Sequence, residues 1–139
     1  MKYGSLILEK KEYVYLKRIL NISGYSEDIE IKKSLQRLSE ELKIAQVVDE
    51  EDMPKDVIRF NSSVLVSSEK GWKKDLQVVI PTEKDFEKGK ISILTPMGAA
   101  LFGYSETDVV EWEFPNGNQQ LKIETVTQDE SAGKVEMPI

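Results

Sequence analysis

Neither cysteine nor histidine occurs anywhere in the 139 residues. Without cysteine there is no disulfide framework and no thiolate metal site. Without histidine the Ser-His-Asp and Cys-His arrangements, the usual zinc sites and the commonest general base are all excluded. Positive charge is also in deficit. Nineteen Lys and Arg face 25 Asp and Glu, for a formal net charge of −6. A general nucleic-acid binder normally carries a basic stripe, so the balance argues against that class, although not against docking on a basic protein surface. Long apolar runs are missing too. The start, MKYGSLILEKKEY, is too short in apolar residues for a signal peptide, and no stretch nears the ~20 residues that cross a bilayer. Any catalysis would have to rest on carboxylates, Lys or Tyr, and the expectation is a cytoplasmic protein with no cofactor.

What remains is enough for a packed core, with 40% hydrophobic residues. The first third reads as helical. Tyr13, Leu16 and Leu20 share one face, and Ile31, Leu35, Leu38, Leu42 and Ala45 follow in a heptad-like seam. Gly24 breaks the first helix and Ser26 caps the second, with Glu27 and Asp28 in its first turn, where the helix dipole favours acids. The spacing predicts a first helix of about 12 residues and a second over residues 26–47, joined as an antiparallel hairpin. Residues 49–52, all acidic, precede Pro54 and read as a solvated linker.

Beyond the linker the period falls to two. Strands are expected at residues 57–60, 63–67, 76–80, 91–94, 109–114 and 121–126, with turns at 69–71, 88–90 and 115–118. In residues 109–114, Val110, Trp112 and Phe114 face one way and Glu111 and Glu113 the other, which marks one covered and one wet face. Trp72 follows Gly71 in a charged loop and suits either an exposed binding surface or a sheet edge. The class is therefore α+β: an N-terminal helical hairpin over residues 1–50, a small antiparallel sheet domain with one short helix over 51–127, and a polar tail over 128–139.

That short helix lies in ISILTPMGAALFGY, residues 91–104. Thr95 suits the N-cap, Pro96 the first helical position and Gly103 the stop. Gly98, Ala99 and Ala100 let the helix lie close on its sheet. A proline-fixed corner is also a good docking knob, because little freedom is lost on binding. Glu27 and Asp28 are the candidate acids at the hairpin tip, but an ordinary dipole-complementing helix start accounts for them without any chemistry and is the favoured reading. No phosphate loop, dinucleotide fingerprint, calcium loop or zinc spacing is present.

The stretch ISILTPMGAALFGYSETDVVEWEFPNG resembles the C-terminal signature of the bacterial Gre transcript-cleavage factors. EEDMPKDVIRFNSSVLV, VIP, PMGAALFG and EWEFPNG look closer still to the Rnk-type regulators related to them. The resemblance covers about residues 51–126. It implies an FKBP-like fold for the C-terminal part, a short antiparallel coiled coil at the N-terminus, and RNA polymerase as the partner. In Gre factors the C-terminal domain docks at the rim of the polymerase secondary channel, and acids at the coiled-coil tip help to bind a metal ion at the polymerase active site. By that resemblance Thr95, Pro96 and Met97 form the polymerase-binding corner, and Tyr25, Glu27 and Asp28 mark the hairpin tip. Leu94 stands where some Gre factors carry an acid. A second helix of roughly 33 Å beside a first of roughly 18 Å gives a shorter arm than a Gre factor's. The expectation is thus a monomeric, non-catalytic regulator that competes with Gre-type factors. The alternative is an active stimulator of transcript cleavage that works through its acidic tip. A prolyl isomerase or peptide-binding module is a third reading, although a fold alone does not imply that activity.

Overall fold

The computed structural model describes residues 1–23, 29–114 and 117–128; the side chains of Ile22, Ser23, Glu30 and Phe114 lie outside that description. The helix break at Gly24, the cap at Ser26, the Pro115–Asn116 turn and residues 129–139 of the tail also lie outside the described residues. The chain begins with a short strand, β1 (Ile7–Glu9), and continues directly into helix α1 (Lys10–Ser23). Glu9 starts that helix as its carboxylate accepts from the backbone N–H of Lys11 at 2.7 Å and of Glu12 at 3.3 Å. These are two of the donors that a helix start leaves without intrahelical partners. Helix α2 (Ile29–Leu42) follows, and then strand β2 (Gln46–Val48).

The expected second helix over residues 26–47 is therefore too long at its C-terminal end. After Leu42 the turn tightens, with the N–H groups of Lys43, Ile44 and Ala45 bonded to carbonyls three residues back. The chain then pairs parallel with β1, in register Ile7 to Gln46, Leu8 to Val47 and Glu9 to Val48. Strand β1 offers an open edge near that point, and the valines Val47 and Val48 suit a pleated ladder better than a helix. Ala45, read as part of the helical seam, lies in the connection.

A mixed five-stranded sheet carries the rest. Its strands are β3 (Ser63–Ser68), β4 (Lys73–Val79), β5 (Lys90–Ser92), β6 (Val109–Phe114) and β7 (Gly117–Thr127), in spatial order β5-β4-β3-β7-β6. Most neighbours are antiparallel, as the alternation implied. The β4–β5 pair departs from it and runs parallel. Residues 80–89 form the crossover, in which single 3-10 turns at Pro81–Glu83 and Phe86–Lys88 carry the chain back along the sheet edge. Residues 57–60 are no strand. They form a buried connection tied to the chain after α3 (Pro96–Leu101), where Ile58 donates to the Tyr104 carbonyl and accepts from Gly103.

One hydrophobic cluster runs through the described residues. It joins Leu6, Leu8, Leu16, Leu38 and Leu42 of the N-terminal part to Phe60, Val66, Ile93, Phe102, Trp112 and Ile123. Phe60 sits at its centre, with ring centroids 4.6 Å from Phe102 and 6.1 Å from Tyr15. The heptad-like residues Leu35, Leu38 and Leu42 are buried. Helix α2 nonetheless packs more on α3 than on α1. Trp112 donates from Nε1 to Ser34 at 3.2 Å, Arg37 lies 4.1 Å from the Trp112 ring centroid, and Tyr104 donates to Glu41 at 2.7 Å. Burial and that bond to a carboxylate push the Tyr104 phenol well above its ordinary range, so it remains a donor. Trp72 is half-buried against the core, beneath the Lys74 ammonium.

Candidate functional site

Helix α3 is set by its own sequence. Thr95 is its N-cap, with an extended backbone (φ −78°, ψ 155°). The Thr95 hydroxyl accepts from Gly98 N–H at 3.1 Å and donates to the Ser92 carbonyl at 2.7 Å. Ser92 in turn accepts through its own hydroxyl from Leu94 N–H at 3.1 Å. Pro96 at the first helical position loses no hydrogen bond, since its missing N–H would have no intrahelical partner there. The corner is thus fixed from both sides, by β5 before it and by the helix after it.

Gly98 explains how closely the helix lies. A Cβ at this position would fall 2.3 Å from the Ser92 carbonyl oxygen and 3.1 Å from Ile93 Cα. Only hydrogen fits there. Ala99, Ala100 and Leu101 complete the buried face, and Gly103 leaves the helix with φ +84°, a conformation that favours glycine.

Thr95, Pro96 and Met97 are all half-buried, and together they form one corner of the surface. Their roles differ. The Thr95 hydroxyl is engaged in both directions within the fold, so its first task is to hold the corner. Pro96 carries no hydroxyl or amide N–H to engage, and Met97 is half-buried with part of it packed against the core. Tyr25, Glu27 and Asp28 lie outside the described residues. Among the described residues no group of three or more acidic side chains is placed to hold a metal ion.

The sequence reading missed a buried ionic network that sets how α1 meets the sheet. Arg59 donates from Nε to Glu12 at 2.6 Å, and from its two terminal nitrogens to Glu50 at 2.6 and 2.8 Å. The second Glu12 oxygen accepts from Phe60 N–H at 3.1 Å. Glu12 and Arg59 are both buried. Burial pushes the Glu12 carboxyl above its ordinary value, and the Arg59 guanidinium offsets part of that. The hydrogen bonds from Arg59 hold Glu50 below its ordinary value. Glu50 opens a 3-10 turn (Glu50–Asp52), so the acidic stretch at 49–52 is a partly structured clamp as well as a solvated segment. A weak signal was available: an isolated arginine within the apolar run VIRF requires a buried partner.

A second clamp holds the first residues. Lys2 and Tyr3 both bond to Asp56, and Lys2 N–H donates to Asp108 at 2.6 Å. Asp108 also accepts from Ser105 N–H at 2.9 Å and so closes the turn before β6. Within that turn Thr107 takes φ +77°, unusual for a β-branched residue.

Comparison with known proteins agrees with this geometry. The family model described as "Transcription elongation factor, GreA/GreB, C-term" matches residues 53–128. The regulator of nucleoside diphosphate kinase of Escherichia coli K12 is 33% identical over 99 residues, 69% of this chain and 73% of that protein. The transcription elongation factor GreA of Acetivibrio thermocellus is 36% identical over 99 residues, 70% of this chain but 62% of that protein. A solved structure from Nitrosomonas europaea, described as a prokaryotic transcription elongation factor GreA/GreB, superposes with a TM-score of 0.71 at 30% identity. That match covers 90% of this chain and 99% of the other. The strand–corner–helix unit around Thr95, the sheet behind it and the sequence of residues 53–128 all lead to one assignment: the chain belongs to the GreA/GreB C-terminal domain family of transcription elongation factors.

Proposed function

We propose that this chain is a non-catalytic transcription regulator that binds RNA polymerase at the rim of the secondary channel and competes there with Gre-type factors. The observation that carries the reading is the length of the hairpin. Helices α1 and α2 are 14 residues each, or roughly 21 Å at 1.5 Å per residue. The first is slightly longer than its sequence suggested and the second shorter, because the chain returns to β1 after Leu42. An arm of that reach occupies a channel entrance without carrying acids to a catalytic metal deep inside. The relatives described as transcription elongation factors support a role in transcription.

In this reading the docking corner is Thr95, Pro96 and Met97, with Pro96 and Met97 making the contact and Thr95 holding the backbone. The test is competition with a Gre factor on purified polymerase. The parent protein displaces the Gre factor and does not stimulate RNA cleavage in backtracked complexes. The pair Pro96→Ala and Met97→Ala loses displacement while its unfolding midpoint stays near that of the parent. Thr95→Ser keeps both hydroxyl bonds and keeps binding. Stimulated cleavage, lost on replacement of Glu27 and Asp28, would establish the cleavage-factor alternative instead.

A further inference from the structure

The five-stranded sheet has two outer edges, and among the described residues the chain closes only one of them. At β5, Asp85 and Lys90 exchange backbone bonds at 3.0 and 2.9 Å, and the Ser92 carbonyl accepts from the N–H and the hydroxyl of Thr95 at 3.0 and 2.7 Å. The groups that β5 turns away from β4 are thus spent within the fold. Strand β6 forms the other edge. An antiparallel ladder alternates between pairs that exchange both bonds and pairs whose backbone groups point outward. Ile123 N–H donates to the Asp108 carbonyl at 3.0 Å, in the register that sets Val110 opposite Leu121 and Trp112 opposite Gln119. Val110 and Trp112 therefore bond to β7, and Val109, Glu111 and Glu113 turn their N–H and C=O groups to the outer edge. Among the described residues no backbone bond outside the ladder reaches these three. Edge strands are normally blunted by shortness, a bulge, proline or charge, lysine above all. Strand β6 has six residues, an unbroken register with β7 and neither proline nor lysine. Its only charges are Glu111 and Glu113, both exposed.

We infer that the β6 edge receives an extended segment of a partner protein in which basic and uncharged residues alternate. This is strand addition, in which backbone bonds supply the affinity and alternate side chains the specificity. The outward face of β6 shows Val109, 59% exposed, and then the two glutamates. A Lys or Arg opposite each glutamate makes a favourable cross-strand pair. Lys33 already shows that an ammonium is accepted there, 3.8 Å from Glu113 with both side chains exposed. Between the end of β6 and helix α2 lies a cleft of about 320 Å³, lined in part by Trp112, Glu113, Lys33, Arg37 and Glu40. Lys33 and Arg37 outnumber Glu40 on the α2 side, so the residues of the incoming segment that face α2 are the uncharged ones. A second copy of this chain fits less well. Two β6 edges paired antiparallel about Glu111 or about Trp112 would set glutamate opposite glutamate, and like charges there are destabilising. The site lies on the opposite edge of the sheet from β5 and its Thr95–Pro96 corner, and does not depend on the polymerase reading.

The probe is a fluorescein-labelled synthetic peptide of about eight residues in which lysine alternates with threonine. Its anisotropy is followed with the full chain at low and high salt. The expected result is saturable binding that weakens with salt, with the Glu111 and Glu113 amides becoming slow to exchange by NMR. Both glutamates are exposed, so the pair Glu111→Lys and Glu113→Lys leaves the circular dichroism unchanged and lowers affinity at least about tenfold. A peptide of the same sequence with an N-methylated backbone keeps the charge but cannot donate to the edge, and it binds at least about tenfold more weakly. Four outcomes overturn the inference. One is the absence of saturable binding. Another is equal binding of the N-methylated peptide, which would reduce the contact to charge alone. A third is new amide protection outside β6. The last is self-association of the chain through β6, which would make a second copy the occupant.

Discussion

Replacing Gly98 with Ala tests the placement of the α3 corner most directly, because two physical effects oppose each other at this residue. In an ordinary helix the change is stabilising by roughly 0.5–1 kcal/mol, through reduced backbone freedom in the unfolded chain. Here the new methyl would lie 2.3 Å from the Ser92 carbonyl oxygen, with Ser92 C and Ile93 Cα both at 3.1 Å. All three are backbone atoms of the sheet edge, so no side chain can rotate away. Real Cβ contacts are essentially never under 3.0 Å, which requires a displacement of at least 0.7 Å (3.0 − 2.3) between α3 and β5. Overpacking of this kind costs about 1–3 kcal/mol. The net expectation is a loss of about 1–2 kcal/mol. For a chain of this size, at about 2.1 cal/mol/K of unfolding entropy per residue, the midpoint falls by roughly 3–7 °C. Calorimetry reads the midpoint, and backbone NMR should confine the largest shifts to residues 92–101. The displacement also moves Thr95, Pro96 and Met97, so polymerase displacement should weaken by more than the stability loss explains. A Gly98→Ala protein as stable as the parent, or more so, would refute the close approach and with it the rigid corner.

Three further outcomes follow from the same structure. Thr107 is exposed and holds φ +77°, so Thr107→Gly should stabilise the protein by about 0.5–1 kcal/mol in urea unfolding, the left-handed strain outweighing the added chain entropy. Glu12→Ala leaves Arg59 buried beside Glu50 alone and removes the acceptor of Phe60 N–H; a loss of about 3 kcal/mol is expected, and a loss within about 1 kcal/mol would show that the network is not buried in solution. Acid should act on Glu50 and Glu12 with opposite signs. Glu50 is held below its ordinary 4.5, so its stabilisation is present above that value and is lost as pH falls through the lowered folded value. Glu12 is held above 4.5, so the folded state retains its proton longer and stability falls as pH rises from 4.5 through the raised value. Glu50→Gln should therefore flatten the acid limb of a pH–stability profile by about 1 kcal/mol or less, since Glu50 is solvent-exposed.

The parts of the fold that the sequence made legible are those whose signals are local. Thr95 and Pro96 start a helix through bonds within four residues, and Gly98, Ala99 and Ala100 state its closeness by their size. Strand β6 announces its two faces through Val110, Glu111, Trp112 and Glu113. The features that escaped depend on distant partners. Strands β1 and β2 are three residues each and exist because Ile7 meets Gln46 across the whole hairpin. The parallel β4–β5 pair depends on a crossover whose short 3-10 turns carry no apolar period. Residues 57–60 alternate like a strand, yet Ile58 and Arg59 spend their backbone groups on Tyr104, Gly103 and Ser62 instead of on a ladder. At the candidate site the helix start at Thr95 and Pro96 was legible. The double use of the Thr95 hydroxyl, and so its structural role, needed coordinates.

The heptad-like seam is the most instructive case. Apolar residues at that spacing suit the seam of a two-helix coiled coil, and also the face a helix turns toward a sheet domain. Periodicity alone does not separate the two. The side chains between the leucines do. Ser34, Arg37 and Glu41 alternate with Leu35, Leu38 and Leu42, and they bind Trp112 and Tyr104, which belong to the sheet and the chain after α3. Helix α2 is therefore fixed by the C-terminal part. Helix α1 is fixed separately, at its first turn, through Glu12 and Arg59. With each helix tied to the same body by its own contacts, neither needs the other to hold its direction. Close packing between them is not required for stability. The same arrangement ties the base of each helix to the sheet domain, which the proposed docking at a channel entrance requires.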